Sequence, residues 1–305
     1  MITHKTAMGY SASTYNHALC AFDQYCCIHF PNETILTKEL VEDWVRLIDK
    51  ETINSLNRRL ATIREFGRYL QSVGLPAYVM PPKMTASQTR YTPHIYTNQE
   101  LTAFFHGADH FEEMVSDPLA QYIVPVIFRV IYCCGLRPAE GRMIKTEDVE
   151  LSTGKIYIRE TKRHKDRAVV LSDDVLSLCI AYNLLRENIC GETEYFFPDK
   201  HGQVRGERWI AYQFRKCWRI SGITEFASPS PRIYDFRHTF ATKKLHDWMD
   251  SGENFYTMLP YLSAYMGHST FSSTAYYIHL LPDRLKKSPA IHWQSFADLL
   301  PEVLP

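Results

Sequence analysis

The sequence predicts a mainly α-helical protein with a small β-hairpin, a fold of the α+β class. From Ile53 to Val73 apolar residues recur at spacings of three and four, the periodicity of one buried helix face. The apolar stretch from Leu119 to Cys134 is long enough for a buried helix. Polar and apolar residues alternate over 155–159, and less strictly over 167–171, which predicts two strands joined by a polar turn.

Residues 1–83 form a small helical unit in this interpretation. Helices are predicted over roughly 13–29, after Thr37, and from Ile53 onward, where Gly74 provides the left-handed residue that ends the last helix. Prolines then stop the helical pattern. The short polar stretch that follows is interpreted as a linker, residues 84–96.

A second domain is predicted over 97–305. It opens with a capping box, in which Thr97 and Glu100 flank a helix start. Pro138 suits the first turn of a helix that follows the apolar stretch. After the hairpin, helices are expected near 174–188, 208–221, 235–249 and 254–265. An apolar C-terminal tail, residues 288–305, is set off by prolines.

The composition of the chain argues against several classes of protein. The 305 residues carry 34 basic and 34 acidic side chains, so the chain is no polycation, and its 13% aromatic content argues against disorder. No apolar run reaches the ~18 residues of a membrane span, and the N-terminus lacks a signal-peptide core. Eight cysteines without a CxxC pair suggest reduced thiols rather than a zinc site. A cytoplasmic protein is therefore expected.

Charge is segregated locally. Residues 155–167 hold six basic and two acidic side chains, and 205–219 hold five basic residues and one acidic. Such runs are usually solvated faces, but they also suit phosphate contacts. The residues suited to such contacts, which the resemblance given below assigns to DNA, are Arg163, Lys165, Arg167, Arg205, Arg208 and Arg215.

Four short motifs carry candidate chemistry. Arg137, with Glu140 three residues on, begins a helix after a glycine turn, a place suited to an anion. Lys162 lies in the hairpin turn, from where it can protonate a leaving oxygen. Arg237 falls in the first turn of another helix and can supply a second cation for the same phosphate. Taken alone, each of these residues is more simply explained as a surface charge or as one member of an ion pair.

The fourth motif is Gly267-His268, followed by a stretch rich in serine and threonine and then by Tyr276 and Tyr277. Taken with the other three motifs, in this order, the sequence resembles the tyrosine recombinases, or phage-type integrases. Their pattern is an arginine in a G-L-R-x-x-E box, a hairpin lysine, an H-x-x-R box, a G-H box and a tyrosine nine residues further. Tyr277 fits that last spacing, and Tyr276 falls one residue short.

The resemblance implies roles for these residues. Arg137 and Arg237 would bind the scissile phosphate with His268, Tyr277 would be the nucleophile, and Lys162 would protonate the leaving 5′-hydroxyl. Glu140 would orient its neighbours. No metal or other cofactor is expected, because two arginines supply the charge. The chain departs from the pattern at Tyr234, which stands where the family usually has a histidine; that position assists proton transfer and braces the phosphate, and active members tolerate substitution there.

The resemblance also implies partners and a domain plan. Residues 1–83 would be a helical core-binding (SAM-like) DNA-binding domain, and 97–305 the catalytic domain. The substrate would be double-stranded DNA with inverted-repeat core sites, with possible DNA-bending accessory proteins and no membrane. The tail 288–305 either packs on its own domain or joins a neighbouring protomer in a tetramer. The function implied is a site-specific recombinase (integrase) serving a mobile element of bacterial or phage origin. Two alternatives remain, a catalytically idle accessory protein of the same fold and a type IB topoisomerase.

Overall fold

The computed structural model describes residues 1–8, 12–46, 51–81, 92–112, 117–159, 166–223, 230–268, 270 and 272–277. The chain forms two compact units, Met1–Tyr91 and Thr92–Pro305. The boundary between them falls within the predicted linker 84–96, most of which lies outside the described residues. The tail 288–305 also lies outside them.

The described part of the first unit contains four helices, and the last three of them contribute to one apolar core. The four are α1 (Ile2–Ala7), α2 (Ala12–His29), α3 (Lys38–Trp44) and α4 (Ile53–Ser72). The side chains of Thr37 and Thr52 accept hydrogen bonds from backbone N–H groups of α3 and α4, so both helices begin at a capping residue. The predicted apolar face of α4 is confirmed, because Leu60 and Ile63 are buried. Gly74 follows α4 with a φ of 82°, as the pattern predicted.

The second unit is mostly helical and carries one small sheet. Its elements are α5 (Asn98–Asp109), α6 (Ala120–Cys133), α7 (Pro138–Arg142), β1 (Val149–Glu150), β2 (Lys155–Ile158), β3 (Arg167–Val170), α8 (Asp173–Cys190), α9 (Glu207–Ile220), α10 (Asp235–Asp250), α11 (Phe255–Met266) and α12 (Ser272–Ala275). A one-turn 3₁₀ helix, Thr146–Asp148, precedes β1. The capping box of Thr97 and Glu100 is present at the start of α5.

The predicted hairpin is confirmed and belongs to an antiparallel sheet of order β1-β2-β3. Ile156 pairs with Val169, and Ile158 pairs with Arg167. Strand β1 was not predicted, because two residues are too few to show an alternating pattern. The turn between β2 and β3, residues 160–165, lies outside the described residues, and with it Lys162, Arg163 and Lys165.

An aromatic core fixes the helices that position the site. The ring of Phe104 on α5 lies 5.4 Å from Phe128 on α6, 5.0 Å from Phe214 on α9 and 5.1 Å from Phe236 on α10, measured between centroids. All four side chains are almost fully buried. Close-packed rings resist movement, so the first turn of α10, which carries Arg237 next to Phe236, is held rigidly.

Tyr96 corrects part of the predicted linker. Its ring is buried in the core of the second unit. Its backbone N–H donates to the hydroxyl of Thr239 at 3.0 Å, and its own hydroxyl donates to the carbonyl of Arg232 at 2.9 Å. Residues preceding α5 therefore belong to the packed body of the second unit.

Candidate active site

Arg137 lies between a glycine turn and a very short helix. Gly135 has a φ of 58°, and an added Cβ there would lie 2.5 Å from the ring of Phe240. Pro138 occupies the first turn of α7, as predicted. Helix α7 has only five residues, so its dipole is small, and the anion-binding character of the place rests on the Arg137 guanidinium itself. That side chain is 25% exposed.

Two arginines share the carboxylate of Glu140. Arg137 donates to it through Nη1 at 2.6 Å and through its backbone N–H at 2.9 Å. Arg167 donates through Nη1 at 3.1 Å and Nη2 at 2.8 Å. Burial alone would raise the pKa of Glu140, but these hydrogen bonds and the two positive charges lower it to about 2. Glu140 is therefore ionised at any pH at which the protein works.

Arg237 is completely buried without a carboxylate partner among the described residues. Its Nη1 donates to the carbonyl of Gly135 at 2.7 Å, and its Nη2 donates to the carbonyl of Met266 at 2.5 Å. Its buried Nε has no hydrogen-bond partner in the described structure. Burial lowers the pKa of this guanidinium, which means that its positive charge is poorly compensated. An anion placed beside it would be bound strongly.

His268 and Tyr277 lie against each other beside the two arginines. Their ring centroids are 5.9 Å apart and the planes are nearly parallel. The Nδ1 of His268 is 2.7 Å from the hydroxyl of Thr274. Burial, together with the charges of Arg237 and Arg137, lowers the pKa of His268 to about 3, so its imidazole is neutral at physiological pH.

Tyr277 is 3% exposed and packs within a small apolar cluster formed by α10, α11 and α12. Burial raises the pKa of its phenol to about 12, while the charge and a hydrogen bond of Arg237 act in the opposite direction. The phenol is therefore protonated at neutral pH, and Arg237 is the neighbour whose charge most favours its ionised form. Tyr276, the alternative from sequence, is also part-buried against this cluster.

Tyr234 stands at the start of α10 with 38% of its surface exposed. Burial lowers the pKa of Arg137, but the Glu140 carboxylate and, after it, the neighbouring Tyr234 raise it. Tyr234 therefore faces the arginine site, where the sequence analysis placed it. One helical turn further, the ring of His238 lies 5.3 Å from Tyr234 and 5.5 Å from Tyr277. Burial lowers the pKa of His238 to about 4.

The predicted DNA contacts divide into exposed and buried residues. Arg208 and Arg215 are exposed on α9, so their charges are available. Arg205 corrects the expectation: it is 2% exposed and donates to both carboxylate oxygens of Asp117, at 2.5 and 3.0 Å. Arg167 is a second correction, because its side chain is 7% exposed and occupied by Glu140. Neither guanidinium can reach a phosphate without breaking a buried ion pair.

The structure thus brings Arg137, Glu140, Arg237, His268 and Tyr277 together with Tyr234, from segments far apart in the sequence. It does not describe Lys162. Sequence reasoning missed three residues of the site. These are Arg167 as the partner of Glu140, Thr274 as the partner of His268, and His238 beside the tyrosines.

Comparison with known proteins decides the family. Residues 97–284 match the model described as "Phage integrase family". The chain belongs to this family. Its members, the tyrosine recombinases, are enzymes that cleave and rejoin DNA.

Individual relatives agree over nearly the whole chain. The chain is 22% identical to the tyrosine recombinase XerD of Rickettsia bellii over 299 residues, covering 92% of each protein. It is 25% identical to the tyrosine recombinase XerC of Oceanobacillus iheyensis, over 77% of this chain and 72% of that protein. Among solved structures, XerH bound to its palindromic difH substrate has the same fold, with a TM-score of 0.70, 19% identity, and coverage of 93% of this chain and 80% of that one.

The described residues contain neither a metal-binding cluster nor a helix that could span a membrane. No group of three or more His, Cys, Asp or Glu side chains there is arranged to hold a metal ion. No helix there has both the length and the apolar character to cross a bilayer.

Proposed function

We propose that this tyrosine recombinase is an active site-specific recombinase in which Tyr277 cleaves DNA through a 3′-phosphotyrosyl intermediate. The observation that carries the proposal is the convergence of two guanidinium groups, a neutral imidazole and a buried phenol. Arg137 and Arg237 donate to adjacent carbonyls, those of Gly267 and Met266, immediately before His268. The phenol of Tyr277 lies beside Arg237.

The chemistry follows from the charges. In-line attack by the phenol oxygen of Tyr277, which gives up its proton to solvent, forms an O–P bond and breaks the bond from phosphorus to the 5′-oxygen. Charge that develops on the non-bridging oxygens is stabilised by Arg137 and Arg237, and neutral His268 donates a hydrogen bond to the same phosphate. The departing 5′-oxygen takes a proton from Lys162. Because the phosphate ester is conserved in the protein–DNA bond, the reverse steps rejoin the strand without ATP.

Tyr234 takes the place of the family's usual histidine in this scheme. Its hydroxyl can donate a hydrogen bond to the phosphate, but a phenol accepts a proton much less readily than an imidazole at neutral pH. We expect it to brace the phosphate together with Arg137, which it already contacts. Exposed basic residues such as Arg208 and Arg215 would hold the flanking DNA backbone.

The biological role proposed is recombination for a mobile element, on double-stranded DNA with inverted-repeat core sites, in the cytoplasm of a bacterial cell. Support for a tetrameric synapse comes from a lambda integrase tetramer bound to a Holliday junction, which has the same fold (TM-score 0.60, 14% identity, 92% of this chain and 74% of that one). We propose that the tail 288–305 links protomers and that DNA-bending proteins assist. Deletion of 290–305 should then abolish strand exchange and leave DNA binding nearly intact; recombination by the truncated protein would exclude this role for the tail.

The proposal is tested with nicked suicide duplexes, in EDTA, made from a sequence that the protein selects from a random DNA pool. Wild type and Tyr276→Phe should form an SDS-resistant protein–DNA adduct, whereas Tyr277→Phe should form none. An adduct with Tyr277→Phe would identify another nucleophile. No adduct with any variant, on DNA that the protein binds, would favour an idle accessory protein. Relaxation of supercoiled DNA without recombination between two sites would favour a topoisomerase.

A further inference from the structure

Arg167 is the first residue of β3, and each of the three nitrogens of its guanidinium donates a hydrogen bond inside the protein. Its Nη1 and Nη2 reach the two oxygens of Glu140, and its Nε donates to the carbonyl of Tyr265 at 2.7 Å. With 7% of its side chain exposed, it is a buried group. A two-pronged arginine–carboxylate pair fixes the orientation of both planes, which a lysine cannot do.

The carboxylate that Arg167 holds is the same one that orients Arg137. Each oxygen of Glu140 accepts one hydrogen bond from Arg167 and one from Arg137. Glu140 therefore cannot rotate without losing a bond to one of the two arginines. Two positive charges also share one negative charge, so the site stays cationic. Were Glu140 paired with Arg137 alone, it would neutralise that guanidinium and weaken its attraction for a phosphate.

Arg167 also supports the turn that carries His268. Gly267 has a φ of 64°, and a Cβ added to it would lie 2.9 Å from Nη1 of Arg167. The carbonyl of Gly267 in turn accepts a hydrogen bond from Nη2 of Arg137 at 3.0 Å. The guanidinium of Arg167 therefore packs against the backbone of Gly267. This backbone leads directly into His268, and its carbonyl holds Nη2 of Arg137.

From this geometry we infer that Arg167 is a positioning residue for DNA cleavage: it holds Glu140 so that Arg137 faces the scissile phosphate, and it supports the Gly267 turn that presents His268. The inference rests on the proposed function, in which Arg137 binds that phosphate. It replaces the DNA contact that local charge suggested for Arg167.

The test compares Arg167→Lys with wild type on two nicked duplexes at saturating DNA. One duplex has an ordinary scissile phosphate, and the other has a methylphosphonate there, which carries no negative charge. A displaced Arg137 should slow adduct formation on the phosphate about 100-fold, the usual cost of about 1 Å of misplacement. On the uncharged methylphosphonate the orientation of the Arg137 cation matters far less, so Arg167→Lys should come close to the wild-type rate there, with only the hydrogen bond of His268 still affected. DNA affinity and its salt dependence should not change.

Controls separate the outcomes. Arg129→Lys alters another two-pronged arginine–carboxylate pair, the one with Asp109, which has no part in the site, and should react like wild type on both duplexes. If Arg167→Lys is slowed equally on both duplexes, Arg167 has only a structural role. If the variant binds DNA more weakly and with a smaller salt dependence, Arg167 contacts a phosphate. Either result overturns the inference. Failure of the proposed function looks different: wild type would form no adduct, or Arg137→Ala would stay inactive on the methylphosphonate.

A second variant covers the case in which Arg167→Lys does not fold. Glu140→Asp keeps every charge but withdraws the carboxylate by one methylene from both arginines. It should show the same pattern, slow on the phosphate and close to the wild-type rate on the methylphosphonate. Cleavage of the phosphate at the wild-type rate would show that the orientation of Glu140 is unimportant. Arg167 would then have nothing to position, and the inference would be wrong.

Discussion

Replacing Glu140 by glutamine removes the carboxylate that two guanidinium groups share, at almost unchanged volume. The size of its effect on the free energy of unfolding follows from the pKa of Glu140, which the arginines lower from 4.5 to about 2. At about 1.4 kcal/mol for each pKa unit, the ionised form is worth about 3 kcal/mol of folding free energy at neutral pH. We expect Glu140→Gln to lose about that much, consistent with the usual cost of breaking a buried pair.

The sign of the pH dependence is also fixed. A carboxyl whose pKa is lowered in the folded state stabilises the protein above its unfolded pKa of 4.5, and this contribution disappears as the pH falls towards 2. The difference between wild type and Glu140→Gln should therefore shrink from about 3 kcal/mol at pH 7 to about 1 kcal/mol at pH 3.

Urea unfolding followed by circular dichroism measures both quantities. Glu192→Gln removes the same charge from an exposed position and should change the free energy of unfolding by less than about 0.5 kcal/mol. If Glu140→Gln unfolds at the same urea concentration as wild type at pH 7, the ion pairs do not stabilise the fold. A large difference that stays constant down to pH 3 would refute the assignment of the effect to the charge of Glu140.

Three further predictions concern other parts of the site. In urea titrations, Gly267→Ala should lower the free energy of unfolding by clearly more than Gly252→Ala. Both glycines have a positive φ, but only at Gly267 would the added Cβ lie 2.9 Å from Arg167, so equal losses would contradict this contact. Arg205→Met should lower the free energy of unfolding by about 2 kcal/mol, because it leaves the largely buried carboxylate of Asp117 with only the indole N–H of Trp209 as a partner among the described residues, and DNA affinity at fixed salt should stay unchanged in a filter-binding assay. Because its pKa is lowered to about 3, His268 should show no NMR titration between pH 5 and 8, and a midpoint near 6.5 would show that burial does not act as described.

The helices were predictable because their signals are local. The face of α4 repeats every three to four residues, and the capping box before α5 lies within four residues, so both could be identified without knowledge of the fold. The motif residues Arg137, Arg237, His268 and Tyr277 were predictable for another reason. Their order and spacing are specific even though they lie far apart in the sequence.

Charged residues whose partners are distant were not predictable in the same way. Arg205 looked like a surface cation in a basic stretch, but its partner Asp117 is 88 residues away. Arg167 did carry a signal that charge counting overlooked. In β3 it lies on the same face as Val169, and Val169 is fully buried, so strand alternation points Arg167 inwards.

The hydrogen bonds of Tyr96 have a consequence for how the catalytic unit can be cut or exchanged. The match to the family model begins at residue 97, whereas the second compact unit of the structure begins at Thr92. A chimaera joined at the family boundary would lose Tyr96, leaving a gap in the aromatic core and removing one hydrogen bond each from the Thr239 hydroxyl and the Arg232 carbonyl, on either side of the arginine that binds phosphate in our scheme. Recombinase domains of this type should therefore be exchanged with the preceding five residues attached.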